Sequence, residues 1–174
     1  MTYVPGPVVP VERERDGDRW TLVFIRDLKH PRTKVWTALT DPEHLDAWSP
    51  FRPDRDLGTT GPATLTMMDG AESVDSKANI TRADPPELLE YQWDADLLRW
   101  DLAEIEGGTR LTLRHTVQAE SWLPQVAAGW HICLDVADRL LAGRPVPVIR
   151  GQEAKKYGWQ ELADAYAAKL GVQA

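Results

Sequence analysis

Cysteine is nearly missing from this chain: Cys133 is the only one in 174 residues. No disulfide can close within the chain, and a structural zinc site built on several thiolates is excluded. A reducing, cytoplasmic setting is therefore expected. Clusters of Lys and Arg are missing as well. With 20 basic and 27 acidic side chains the net charge is −7, which argues against nucleic acid or an anionic membrane surface as partner, because both need a basic face. No apolar run approaches the ~20 residues that span a bilayer, so no membrane span is expected. The start, Met1 to Pro10, has three prolines and no basic-then-apolar order, unlike a signal peptide. Gly-rich phosphate loops, a Gly-x-Ser-x-Gly elbow and a His-Glu-x-x-His helix are all lacking. No metal and no cofactor are expected.

What the chain does have is apolar material. Hydrophobic residues make up 43% of it, and its length suits one domain with a sizeable core. Eight residues are Trp, a side chain suited both to cores and to ligand cavities.

Periodicity divides the chain into elements. Glu12 to Arg19 reads as a solvated, charged arm. Trp20 to Leu28 contains Leu22, Val23, Phe24 and Ile25 in succession, a strand buried on both faces. His30-Pro31 ends it. Val35, Trp36 and Leu39 then mark a short amphipathic helix, and Thr40-Asp41-Pro42-Glu43 caps a second one bearing Leu45 and Trp48. Asp54 to Leu57 reads as a short edge strand, Gly61-Pro62 as a turn, and Ala63 to Met68 and Ser73 to Arg82 as strands joined at Asp69-Gly70. Three later segments alternate cleanly: Leu89 to Trp93, Leu98 to Leu102, and Leu111 to Val117. Each has one dry and one wet face, as in an antiparallel sheet covered on one side. Pro124 to Ala142 is the longest helix, with Val126, Trp130, Cys133, Ala137 and Leu140 as its inner stripe and His131, Asp135, Asp138 and Arg139 on its wet side. Gln152 to Leu170 is a final helix that Gly158 can break. One dry sheet face and one matching helix stripe predict an α+β domain in which the helix covers a curved sheet of about six or seven strands.

The residues His30-Pro31, Val35-Trp36-Thr37-Ala38-Leu39-Thr40-Asp41-Pro42-Glu43-His44-Leu45 and Trp48 resemble the first block of the START-like helix-grip superfamily, also called SRPBCC. Asp84-Pro85-Pro86-Glu87-Leu88-Leu89-Glu90-Tyr91 with Trp93, then Gly108-Thr109-Arg110-Leu111-Thr112-Leu113, then Gly129-Trp130 with Leu134, follow in the same order. Within the superfamily the chain looks like the branch similar to the C-terminal domain of the heat-shock-protein-90 ATPase activator. The resemblance implies a helix-grip domain over residues 20–143, after an arm over 1–19 and before a linker and helix over 144–174 packed on the domain or on a second copy. It also implies a cavity between sheet and long helix, used across the superfamily for lipids, hormones and polyketides, and it admits a chaperone partner.

Trp93, Trp100 and Trp130, with Met67, Leu113 and Leu134, are expected to face that cavity, and Trp48 and Phe51 to stand at its mouth. His115 falls on the dry face between Leu113 and Val117. An inward His orients a ligand or acts as a general base; the plainer reading is a satisfied core His. His131 and Asp135, four apart, pair on one helix face, and Cys133 reads as a small core hydrophobe. Three functions compete: a binding module for an apolar or aromatic, lipid-like small molecule; a cyclase- or aromatase-type enzyme using His115; and, by resemblance alone, a co-chaperone-like ATPase activator.

Overall fold

The computed structural model describes residues 3–172; Met1, Thr2, Gln173 and Ala174, which fall in the arm and tail expected from the sequence, lie outside the described residues. Its strands are β1 (Val11–Asp16), β2 (Arg19–Leu28), β3 (Phe51–Pro53), β4 (Gly61–Asp69), β5 (Glu72–Asp84), β6 (Leu88–Trp93), β7 (Asp96–Ile105) and β8 (Gly108–Val117). They form one antiparallel sheet in the order β1-β2-β8-β7-β6-β5-β4-β3. Helices α1 (Arg32–Thr40) and α2 (Pro42–Trp48) follow β2, α3 (Leu123–Leu141) follows β8, and α4 (Trp159–Leu170) closes the chain.

The alternation read from the sequence sets the inner face. Leu89 and Tyr91, Leu98, Trp100 and Leu102, and Leu111 and Leu113 are all buried. The register stacks them: Leu89 lies opposite Trp100, and Trp100 opposite Leu113. The register slips between Ile80 and Arg82 in β5. Such a bulge bends its strand and curves the sheet around what it covers.

Three local expectations change. The charged arm is not free: Val11–Asp16 pairs with β2 as an exposed edge strand, adding the eighth strand. Its Glu and Arg side chains suit an edge, where charge discourages pairing with another chain. The edge strand at the opposite side is Phe51–Pro53 rather than Asp54–Leu57. Pro53 lacks a donor, which an edge strand tolerates. The loop beyond it is held by Arg55, which donates to the carbonyls of Asp56, Thr59, Gly61 and Pro62. Gly61-Pro62 is the start of β4, beyond the reach of β3, where one side of β4 is open.

The largest revision concerns α3. Its wet side is only partly wet: Asp138 and Arg139 are half-buried, but His131 is 0% exposed and Asp135 is buried. The N-terminal segment and α4 cover that side. The Tyr3 hydroxyl donates to Asp135 Oδ2 (2.5 Å), as does the Gly6 amide (3.1 Å). Arg26 of β2 forms an ion pair with Asp135, and His30 Nε2 lies 2.7 Å from Asp138 Oδ1. Tyr166 of α4 accepts from the Val9 amide (3.1 Å) and is 2.6 Å from His131 Nδ1. Burial pushes the Tyr166 hydroxyl up to about 12, so it stays protonated and donates to that nitrogen. A helix buried on most sides needs partners for its polar residues, and this network supplies them for Asp135 and for Nδ1 of His131, leaving His131 Nε2 without a hydrogen bond. Inside the stripe, Val126 and Leu140 are only half-buried, while Leu134 and Leu141 are buried. The apolar side of α4 (Leu162, Ala163, Tyr166 and Leu170) is buried within the same chain.

Candidate functional site

The space between sheet and α3 is mostly filled by aromatic side chains. Trp100 and Trp130 meet edge to face with ring centres 5.2 Å apart, and Trp48 packs on both at 6.4 and 6.5 Å. Phe51 and Trp93 meet at 5.0 Å. The Trp48 indole donates to the Ala38 carbonyl (2.8 Å), which ties α2 to α1. These contacts make a packed core of Trp48, Phe51, Trp100, Leu113 and Leu134, all of them buried.

A pocket of about 280 Å³ remains at one end of this cluster. Trp93 at the end of β6 and His115 of β8 form its sheet side. Val126, Gly129, Trp130 and Cys133 form its helix side. Their spacing of three and four residues puts them on one face of α3. Pro50 and Ile132 also line the pocket, and Ile149, Arg150, Gly151, Ala154 and Trp159, from the segment after α3, close the remaining side. Trp93, His115 and Trp130 are thus the sequence-derived candidates that line the pocket; Trp48, Phe51, Trp100, Leu113 and Leu134 stand behind it. Met67 is 36% exposed near the β4–β5 hairpin, away from the pocket.

His115 is buried and engaged at both ring nitrogens. The Trp130 indole N–H donates to Nδ1 at 2.9 Å. An indole nitrogen only donates, so Nδ1 is the acceptor and the ring proton sits on Nε2. Nε2–H then donates to Asp96 Oδ2 at 2.8 Å. Asp96 lies two residues before Leu98, the register partner of His115, and so on the same sheet face. This arrangement orients the ring and leaves it no free acceptor.

Cys133 is buried in the helix side of the pocket. Burial pushes its thiol up to about 12, opposed by the charge of Arg150. A thiol so placed is a packing group, not a nucleophile. The Arg150 side chain is 9% exposed and reaches α2: Nε donates to the Ser49 carbonyl (2.8 Å) and Nη2 to the Asp46 carbonyl (2.7 Å). Gly151, at φ +54°, lets the chain turn close to Asp69; a Cβ there would stand 2.3 Å from the carboxylate.

Asp135 carries the opposite electrostatics, on the far side of α3. Burial pushes its carboxyl upward, but His131, the Tyr3 hydroxyl and Arg26 outweigh that and hold it well below the usual carboxylate range. The His131 Nε2 edge lies 3.4 Å from Asp135 Oδ2 without forming a hydrogen bond. This cluster holds elements together, and none of its residues lines the pocket beside Trp130. Among the described residues no group of three or more His, Cys, Asp or Glu side chains is placed to hold a metal ion, and no helix is long and apolar enough to cross a membrane.

Sequence reasoning missed Asp96, Gly129, Ile149, Arg150, Ala154 and Trp159. Two had a readable signal. Asp96 alternates with Leu98, Trp100 and Leu102, and Gly129 stands three residues after Val126 inside a helix. Ile149 and Arg150 lie in a linker whose path no periodicity reports, and Ala154 and Trp159 fall in the expected final helix, whose docking site on the domain no periodicity reports.

A curved antiparallel sheet closed by one long helix, with two short helices between the second and third strands and a pocket at the helix, defines a helix-grip protein. Residues 29–142 match the family described as activator of Hsp90 ATPase homolog 1-like protein, and the chain belongs to that family. Solved structures share the fold. CalU16 from Micromonospora echinospora, in its crystal structure, is 23% identical with a TM-score of 0.68, over 92% of this chain and 95% of that one. A conserved protein of unknown function from Enterococcus faecalis is 16% identical with a TM-score of 0.69, over 91% and 89%. An AHSA1-like protein from Aeromonas hydrophila is 22% identical with a TM-score of 0.60, over 71% and 92%. At these identities the likeness is one of fold. Comparison with curated proteins gives no match.

Proposed function

We propose that this protein binds a small, largely apolar aromatic molecule in the pocket between Trp93, Trp130 and Trp159. The observation that carries this reading is the pocket itself: about 280 Å³, at the end of an otherwise packed aromatic core and walled by indole rings and aliphatic side chains. Typical ligand sites start near ~300 Å³, so the ligand is compact, of one or two rings rather than a long lipid. Membership of the helix-grip fold supports the same reading, since the pocket adjoins the long helix.

What favours binding over proton transfer is the state of His115. Both of its nitrogens are committed within the protein, to Trp130 and Asp96. A general base needs a free acceptor within reach of the substrate proton.

Titration calorimetry with benzene- and naphthalene-sized aromatic molecules tests the proposal. Saturable binding of one molecule per chain, with the negative heat-capacity change of apolar burial, is the expected result. No heat, and no change in Trp fluorescence across the series, would remove it.

A further inference from the structure

Arg150 supplies the one charged side chain among the residues lining the pocket, and no Asp or Glu lines it. Its guanidinium offers five N–H groups in a fixed fork. They meet four acceptors: the carbonyls of Ser49, Asp46 and Leu45, and Asp46 Oδ1. The three carbonyls are neutral. The carboxylate is 3.4 Å away, and the Asp46 side chain is 39% exposed. One N–H of Nη1 is left over, and the nearest negative charge is a loosely held one. A buried cation is costly unless paired at close range. The pocket is where such a pair can form, because the charge is felt there: it opposes the effect of burial on the Cys133 thiol in the facing helix wall.

The carbonyls also hold the guanidinium in place. Leu45 and Asp46 belong to the last turn of α2, whose negative end attracts a cation, and the Asp46 carbonyl has no intrahelical partner because residue 50 is a proline. Arg150 is therefore fixed before any ligand arrives, which lowers the ordering cost of binding.

We propose that the ligand carries one negative charge on its apolar ring system, as an aromatic carboxylate does, and that Arg150 is its counter-ion. The inference rests on the binding reading above and names the ligand's charge. Long-range attraction does not supply this selectivity: the chain carries a net charge of −7, and a separation beyond ~8 Å is screened at physiological salt. Selection for an anion comes from contact with this wall. Arg150, Ala154 and Trp159 also lie beyond the segment 29–142 that matches the family, so the preference is set outside that segment.

The test compares acids with their neutral isosteres. Benzoate, cinnamate and naphthoate, and the carboxamide of each, are titrated into the full chain by calorimetry. The acids are expected to bind at least about tenfold more tightly than the amides, as a charge-assisted hydrogen bond requires. Arg150→Met brings the acids down to the affinity of the amides, and Arg150→Lys, which keeps the charge but loses the fork, falls between. Equal binding of acids and amides by the wild-type protein overturns the inference and leaves the apolar binding reading intact. So does an acid preference that survives in Arg150→Met. If Arg150→Met does not fold, Arg150→Gln, which keeps hydrogen-bond donors but carries no charge, takes its place: an acid preference that survives in it overturns the assignment. Binding of neither acids nor amides removes the binding reading itself.

Discussion

The indole N–H of Trp130 donates to Nδ1 of His115 over 2.9 Å, joining α3 to β8 beside the pocket. That single contact specifies the tautomer of His115 and so the donor it presents to Asp96. It also explains why a His tolerates a nearly dry sheet face: each of its polar atoms has a partner.

Trp130→Phe keeps an aromatic ring but removes the donor. The buried Nδ1 is left unpaired, at a cost of about 1–3 kcal/mol. Thermal denaturation should show Tm falling by roughly 2–4 °C for each kcal/mol lost in a chain of this size. In a double-mutant cycle with His115→Leu the two losses should fall short of additive. Additive losses would mean that the two side chains do not act as a pair.

How much of this was legible depends on what sets each feature. The sheet's inner face could be read because alternation is local: Leu98, Trp100 and Leu102 point one way whatever covers them. The membership of His115 in that face followed from the same rule. The role of α3 was half legible. The centre of its inner stripe was clear, but its outer side was misread at His131 and Asp135, which look solvated until Tyr3, Arg26 and Tyr166 arrive from other parts of the chain. Polar residues say nothing about burial when their partners lie 35 to 132 residues away. The outer wall of the pocket was illegible for a related reason. Ile149 and Arg150 sit in an irregular linker, where position is set by tertiary contacts such as the Arg150 bonds to Ser49 and Asp46.

The outer network of α3 has a pH signature. The Asp135 carboxyl is held below its unfolded value of about 3.9. Its stabilising contribution is therefore complete above that value and is lost as pH falls toward the folded one. Asp135→Asn should cost about 3 kcal/mol at neutral pH, because Arg26 loses its buried partner. The gap between wild type and variant, measured by urea denaturation, should be constant above about pH 5 and narrow below about pH 4. A gap that widens in acid would contradict the assignment.

Cys133 offers a chemical readout. Its thiol is buried and pushed up to about 12, so the thiolate is scarce near neutrality. Iodoacetamide at about pH 8 should leave the native protein unmodified and alkylate it rapidly in denaturant, where the thiol returns to about 8.5. As the chain holds a single cysteine, intact mass reports the site directly. Rapid native alkylation would mean that the pocket wall is open to reagents and that Cys133 is ionised.

The central claim, that this pocket is the ligand site, is tested most directly at Gly129. It lines the pocket from within α3, and a Cβ built on it meets nothing within 4 Å. Gly in a helix interior costs about 1 kcal/mol relative to Ala, so Gly129→Ala should raise stability by about that amount. Gly129→Leu goes further and fills the space. The decisive measurement is calorimetric titration of Gly129→Leu with an aromatic molecule that the wild-type protein binds. The account predicts a folded variant, with wild-type circular dichroism, whose affinity falls at least about tenfold, as expected when a ligand's site is occupied by a side chain. Unchanged affinity in a folded Gly129→Leu protein would place the ligand elsewhere and contradict it.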